Sequence, residues 1–337
     1  MTIGIAFLLG AAIIVLAGRN PATAYYWMFR GAFFPSALPE TLIRAAPLLL
    51  VSLGLAVAFT AKIWNIGAEG QLYIGGMLAA ITGLMLKDLP APLAMPIIFL
   101  VAGLGGAAWA FLPAFLRAKY EINEIITTLM LNYVAIYLVS YLLNNPFKDP
   151  LSQFPETQTL PEHLWAPILV PGTRLHLGVF IAFLFVPLVF FLLRRTGFGL
   201  KLEVLGANSK AAKYAGVPSA LLIVQAMLVS GFLAGLAGGI EVLGVQHKMR
   251  LGISPPMSPY GFTGIAVALL GFLNPLLIAL TSVFLGGVIN GSMTMHRMAG
   301  IPVGMAGIIQ ALIIIFILAS YFVEESLLQR VLRGWKR

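Results

Sequence analysis

Residues 41–86 read TLIRAAPLLLVSLGLAVAFTAKIWNIGAEGQLYIGGMLAAITGLML. Two apolar runs, 41–61 and 69–86, each approach the roughly 20 residues that a helix needs to cross a bilayer. Between them lies a polar, glycine-containing break, Lys62-Ile63-Trp64-Asn65-Ile66-Gly67-Ala68-Glu69-Gly70-Gln71. Backbone freed from helical bonding is expensive in lipid, so the break is expected either to line a cavity or to form a tight turn at the cytoplasmic surface. Asn65 and Glu69 stand four apart and would share a face of a helix, while Glu69 near a helix start would favour the positive end of the dipole. The plainer alternative has Asn65 capping the helix that follows and Glu69 sitting in the membrane interface.

Working outward, apolar runs also occupy 2–18, 96–116, 122–143, 177–193, 218–240, 259–272, 275–293 and 302–322. The expected fold is an all-α polytopic membrane protein with about ten transmembrane helices, some of them broken or re-entrant, in two pseudo-symmetric halves of five. The run 259–272 is short for a crossing and reads as a half-helix buried against protein. Composition agrees: 60% of the 337 residues are hydrophobic and 10% charged, against roughly 25% charged in an ordinary soluble domain. Mean hydropathy is +0.95. No stretch outside the apolar runs is long enough to bury a core, so 1–337 is expected to be a single transmembrane domain.

The net charge of +9 would suggest nucleic acid in a soluble protein. Here the basic residues cluster in short loops, which the positive-inside rule explains, and no nucleic-acid partner is expected. Arg117 and Lys119, then Arg194, Arg195, Lys201, Lys210 and Lys213, then Arg330, Arg333, Lys336 and Arg337 fall on one side; with Lys62 that side holds 12 Lys and Arg against 9 opposite. It is expected to be cytoplasmic, with both termini inside, a loop at 194–217 and an amphipathic tail at 323–337. The opposite face receives the longest polar connection, 144–176, stiffened by six prolines. Ala22-Thr23-Ala24 resembles a signal cleavage site, but no basic region precedes the first run and Arg19 follows it, so removal of residues 1–24 stays open. Asn20 to Glu40, rich in Tyr, Trp and Phe, reads as an interfacial segment.

A second break, from Gly252 to Gly264 and containing Pro255, Pro256 and Pro259, precedes the short run in the other half. Paired interruptions in two halves point to a translocation site. Asn65, Glu69 and Gln71 from the first break, with Tyr260, Phe262 and Thr263 from the second, are therefore the candidate pathway residues, suited to a neutral, polar, ring-bearing solute. In the loop 194–217, Asn208 is a good N-cap, Ser209 to Ala215 is compatible with a helix, and Gly216 is a natural stop before Pro218. That short helix would expose Lys210 and Lys213 and offer Ala207, Ala211, Ala212 and Tyr214 for packing. Gly231, Gly235 and Gly239 set small-xxx-small spacings for close helix approach. Asn132, Gln225, Asn290 and Gln310 read first as interhelical glue.

Chemistry of other kinds is scarce. The chain has no cysteine and four histidines without metal-binding spacing, so no metal and no cofactor are expected. No Gly-Lys dipeptide occurs, hence no Walker-type loop, and any ATP hydrolysis belongs to a separate subunit. An ion-coupled secondary transporter is the alternative; Glu69 is its one serious titratable candidate. An intramembrane hydrolase is disfavoured because Asp88 and Asp149 are the only aspartates and both fall in loops.

Asn65-Ile66-Gly67-Ala68-Glu69-Gly70-Gln71 followed by Leu72-Tyr73-Ile74-Gly75 resembles the signature of ABC importer permeases for nucleosides and simple sugars, within the superfamily of ribose and branched-chain amino acid permeases. Asn123-Glu124 with Met130-Leu131-Asn132-Tyr133, the segment Gly206-Ala207-Asn208 to Ala215-Gly216, and Tyr260-Gly261-Phe262-Thr263 with Ala266 to Gly271 and Asn274-Pro275 resemble the family in the same order. Lys62, Trp64 and the Phe272-Leu273 pair depart from its usual pattern, which bears on substrate detail. The resemblance implies a permease subunit in a bacterial plasma membrane. Its implied partners are an ATP-binding subunit, a second and different permease, and an extracytoplasmic substrate-binding protein. It further implies that Gly206, Ala207, Asn208, Lys210, Ala211, Ala212, Tyr214 and Gly216 form the coupling segment that seats on the ATPase.

Overall fold

A computed structural model describes residues 2–255 and 258–316. The tail 323–337, the end of the run 302–322, and Pro256 and Met257 of the second break lie outside the described residues. So do the basic residues Arg330, Arg333, Lys336 and Arg337.

Each of the ten apolar runs is helical over its described residues. In chain order the helices are α1 (Thr2–Leu16), α2 (Pro21–Phe33), α3 (Leu38–Thr60), α4 (Ala68–Met85), α5 (Ala91–Tyr120), α6 (Glu124–Asn144), α7 (Leu177–Arg195), α8 (Gly197–Ala207), α9 (Ser209–Tyr214), α10 (Ser219–Glu241), α11 (Tyr260–Leu270) and α12 (Pro275–Ala299), followed by α13 (Val303–Phe316). Six of them are long and apolar enough to cross a membrane: α3, α5, α6, α7, α10 with the turn that extends it to Gln246, and α12. The chain is thus a multi-pass, all-helical membrane protein. α4 fails that test because its first turn carries Glu69 and Gln71, and α1, α11 and α13 are shorter apolar helices.

The chain divides into two compact units. One comprises Ala45–Ser282; the other joins the first 44 residues to those from Val283 onward. In the latter, the aromatic segment forms α2, capped by Asn20, whose side chain accepts the Ala22 N–H at 2.9 Å, with Pro21 at its first position. The Arg30 guanidinium lies 5.1–5.9 Å from the ring centres of Tyr26, Trp27 and Phe34, as suits an anchor at headgroup depth. Asn290 on α12 donates to the Gly31 carbonyl at 2.9 Å, the interhelical bond expected of it.

In the unit Ala45–Ser282, α10 packs most extensively on α5 and then on α4. Lipid supplies no hydrophobic force to press helices together, so contact depends on backbones approaching closely. A Cβ on Gly235 would overlap the Ala102 carbonyl and stand 2.9 Å from Gly106 Cα, and one on Gly239 would meet Ala102 Cβ at 2.9 Å. The glycine spacing read from the sequence is therefore the α5–α10 seam. α6 keeps only 22% of its apolar window inside the protein, so most of its apolar surface lies on the outside of the chain. Gln225 is exposed rather than bonded between helices.

Candidate functional site

The first break is shorter than its polar sequence suggests. α3 stops at Thr60 and α4 resumes at Ala68, so Glu69 and Gln71 lie in the first turn of α4 while Asn65 lies outside any helix. The expectation that Asn65 and Glu69 share a helical face is thereby corrected. α3 is closed by paired bonds, Ile63 N–H to Ala58 O at 3.1 Å and Lys62 N–H to Phe59 O at 2.8 Å, with Lys62 left-handed at φ 56°.

The freed backbone of the break is claimed by one face of α6. Glu124, Thr128 and Asn132, spaced by four and so stacked along the helix, act as three rungs. Glu124 accepts the Trp64 N–H (3.3 Å), Thr128 accepts the Ile66 N–H (3.1 Å), and Asn132 accepts the Gly70 N–H (2.8 Å) while donating to the Ile66 carbonyl (2.7 Å). All three side chains are buried, and Glu124 also pairs with Arg117 at 3.2 Å. This satisfies the rule that non-helical backbone at membrane depth finds protein partners.

The side chains of the break form a knot. Asn65 and Gln71 exchange two amide hydrogen bonds of 3.0 Å; Asn65 also donates to Ser230 Oγ on α10 (2.9 Å) and accepts the Gly67 N–H (3.0 Å). Every donor and acceptor of the Asn65 amide is thus in use. The Glu69 carboxylate accepts the N–H of Gly261 at 2.7 Å, with the Ser254 hydroxyl beside it. A Cβ on Gly261 would stand 2.6 Å from Glu69 Cα, so the first turns of α4 and α11 abut. Two helix N-termini, each with a partial positive charge, therefore converge on one buried carboxylate. Ser219, at the start of α10, lines a surface groove; Ser230 lies about 16 Å further along the helix at 1.5 Å per residue, which puts the knot well below that surface.

The pathway candidates are not equivalent. Asn65, Glu69 and Gln71 come together and are 0–3% exposed. Tyr260 and Thr263 are buried in α11 beside them, whereas Phe262 is 39% exposed and turned away from that buried face. The sequence reading placed Asn132 as glue and Glu124 within a motif, but missed the α6 ladder as a unit and did not name Ser230 or the Gly261 N–H. Of the break, only its first residues border open space, and the expectation that Asn65, Glu69 and Gln71 line a cavity is corrected, since all three are buried in protein. Lys62 and Ile63 line a groove of about 1170 Å³ together with Arg117, Glu121, Asn208, Lys210 and Lys213, and the remainder is sealed in protein.

The short helix of the loop 194–217 is α9. Asn208 Oδ1 accepts the N–H groups of Lys210 (3.0 Å) and Ala211 (3.1 Å), and Gly216 ends the turn at φ 73°. Ala212 is buried, while Ala207, Asn208, Lys210, Ala211, Tyr214 and Gly216 are exposed, Tyr214 at 94%. Gly206, by contrast, is buried.

On the opposite face, the loop 144–176 is packed rather than merely extended. It runs against the π-turn Val242–Gln246 and the residues after it: Leu160 N–H to His247 O (2.8 Å), Thr157 N–H to Met249 O (2.9 Å), Ala166 N–H to Leu243 O (2.9 Å), and Glu156 paired with Lys248 at 2.8 Å. Trp165 stacks on the His247 ring with centroids 3.9 Å apart. His176 is 1% exposed with neither ring nitrogen hydrogen-bonded. Burial, with the charges of His247 and Arg174 nearby, pushes its pKa down to about 4. The sign follows: above the unfolded value near 6.5 neither state is charged, and as pH falls towards 4 the unseated loop takes up the proton first. Acidification from pH 7 to 4 is expected to weaken the seat by up to about 3 kcal/mol. The check is hydrogen exchange of residues 156–176 against pH, expressed as protection factors so that the intrinsic slowing of exchange in acid is divided out; protection that does not fall below pH 6, or that falls equally in His176→Leu, contradicts it.

Comparison with known proteins gives consistent findings. The family described as "Branched-chain amino acid transport system / permease component" matches residues 38–318. The glucose ABC transporter permease protein TsgB13 of Haloferax volcanii is 34% identical over 96% of this chain and 87% of that protein. The guanosine ABC transporter permease protein NupP of Bacillus subtilis is 33% identical over 94% and 90%, and the nucleoside ABC transporter permease protein NupB of Lactococcus lactis 30% identical over 95% and 90%. Each of the last two organisms holds a second, more distant permease under the same description, at 22% and 25% identity. No solved structure matches.

Proposed function

This chain belongs to the branched-chain amino acid transport system permease family, and from that premise we propose how it works as the membrane-spanning permease subunit of an ATP-driven ABC importer. It is a transport protein, not a catalyst. Its cargo is a nucleoside or simple sugar, in keeping with the guanosine, nucleoside and glucose named for its relatives. ATP is hydrolysed on a separate subunit, and an extracytoplasmic binding protein delivers the solute. A second, different permease completes the membrane channel; the paired permeases of Bacillus subtilis and Lactococcus lactis support a heterodimer. The setting is a bacterial plasma membrane, with both termini and the 323–337 tail cytoplasmic and the loop 144–176 outside.

The observation that carries the mechanism is the convergence of the α4 and α11 N-termini on Glu69. Discontinuous helices whose starts face one another from the two halves of a chain are the usual framework of a midplane transport site. About ten spans in two pseudo-symmetric halves, forming one permease domain over 1–337, accord with that arrangement. Asn65, Glu69 and Gln71, with Tyr260 and Thr263 buried in α11, form the gate of the pathway, and Phe262 faces away from it. In the closed form the amides of Asn65 and Gln71 bond each other and the Glu69 carboxylate is held by the Gly261 N–H, so the solute passes only when the knot is undone. The segment 194–217, with Ala207, Asn208, Lys210, Ala211, Ala212, Tyr214 and Gly216 on or about α9, takes up the ATPase stroke.

The test is isolation of the chain from its native membrane in mild detergent, together with uptake of labelled guanosine and glucose. We expect an ATP-binding subunit, a second permease and a binding protein to accompany it. Uptake should be lost on ATP depletion and retained under a protonophore while ATP is held constant. A chain that emerges alone from several detergents, with uptake following the proton gradient, overturns the reading.

A further inference from the structure

Gly206 is the last residue on the buried face of α8, after Gly199, Leu202 and Leu205, and the Ala207 and Asn208 that follow it face outward. A Cβ there would overlap the carbonyl oxygen of Thr60 and stand 3.2 Å from Ala61 Cα, so the backbone of α8 rests on the last turn of α3 with nothing between. A cavity of about 330 Å³ beside this contact is lined by Thr60, Lys62, Gly206, Ala207, Phe272 and Leu273, among others. The arm made by α8 and α9 thus borders the ends of two helices, α3 and α11.

Both ends are built alike, and both are strained. α11 closes with Leu273 N–H to Ala268 O and Phe272 N–H to Leu269 O, each 3.0 Å, repeating the closure of α3. Lys62 (φ 56°), Phe272 (φ 52°) and Leu273 (φ 56°) are all left-handed without being glycine, a conformation that β-carbons resist. Such strain persists where the surroundings over-determine it, often at moving parts.

These two ends are also the two routes to the knot. From Lys62 the chain reaches Asn65 in three residues. From Phe272 the single rigid helix α11 leads back to Gly261, whose N–H is held by Glu69. We propose that Gly206 is a positioning residue for transport: its backbone contact with Thr60 is the joint through which displacement of the α8–α9 arm shifts the ends of α3 and α11 and separates Gly261 from Glu69. Rigid elements with discrete arrangements are what carry coupling between distant sites. The inference rests on the reading of the arm as the part that takes the ATPase stroke, and it adds where the stroke enters the permease.

The test uses the complete complex in liposomes, with uptake and ATP hydrolysis measured together. Gly206→Ala is expected to keep its partner subunits and its ATP hydrolysis while uptake per ATP falls about tenfold. Because this chain has no cysteine, a Lys62→Cys, Ala207→Cys double variant can be joined across the cavity after assembly with a short cleavable thiol cross-linker. Joining should stop uptake, and cleavage should restore it to the rate measured before joining. Unchanged uptake per ATP in Gly206→Ala, a loss merely proportional to the loss of assembled complex, or full uptake in the cross-linked protein overturns the joint. If the wild-type preparation holds no ATP-binding subunit, the importer reading itself fails, and that is seen before any variant is made.

Discussion

Replacing Glu69 with alanine is expected to abolish uptake, with a loss of at least about a hundredfold, and to lower the thermal midpoint of the protein. The stability part follows from the local chemistry. The carboxylate is 3% exposed and holds the Gly261 N–H at 2.7 Å; removing a charged partner from a buried donor costs about 1.5–3 kcal/mol, more than the bond itself contributes when both partners are present. The uptake part follows from position, since the carboxylate stands where the starts of α4 and α11 meet. Glu69→Gln separates the two effects. Its carbonyl oxygen still accepts from Gly261, so assembly and midpoint should largely recover, while the negative charge that faces two helix N-termini is gone and uptake should stay depressed. Wild-type uptake in Glu69→Ala would remove the α4–α11 junction from the transport pathway.

What the sequence discloses is local. The ten apolar runs follow from composition, and as far as they are described each is a helix, the form in which a single segment satisfies its own backbone in lipid. The Asn208 cap and the Gly216 stop of α9 are written within nine residues, and the α5–α10 seam announces itself in the spacing of Gly231, Gly235 and Gly239. What escaped is long-range. Glu124, Thr128 and Asn132 have the spacing of one helical face, but that their partners are the backbone of Trp64, Ile66 and Gly70 depends on how α6 is set against a segment sixty residues earlier. Ser230 is an unremarked serine in a glycine-rich helix until α10 is docked and its hydroxyl meets Asn65. Asn65 was placed on a helical face by counting residues, yet the chain leaves the helix because Lys62 turns left-handed, and no residue type in the stretch signals that. The same limit applies to the loop 144–176, where Trp165 finds His247 only after the loop has folded onto the end of α10.

Gly235→Val is expected to be the most damaging single substitution, reducing membrane-inserted, monodisperse protein to near the detection limit. A valine needs space where Gly235 has the Ala102 carbonyl and the Gly106 backbone, and neither can withdraw without moving α5. Backbone against backbone leaves no side chain to rotate away, so the cost lies above the roughly 4 kcal/mol that marks exceptional point mutants. The effect also propagates. α10 carries Ser230 into the knot, so displacing the helix removes a partner from Asn65, whose amide is fully bonded, and leaves an N–H of that buried side chain unpaired. Gly216→Ala is the fitting contrast: that glycine has φ 73° but open space around it, so only the left-handed strain of about 1 kcal/mol applies and yield should be nearly normal. Fluorescence-detected size-exclusion chromatography of the two variants side by side makes the comparison. Were Gly235→Val to elute as the wild type does, α10 would have to be held by its side chains rather than its backbone, and the position of Ser230 in the knot would need another explanation than the close approach of α5 and α10.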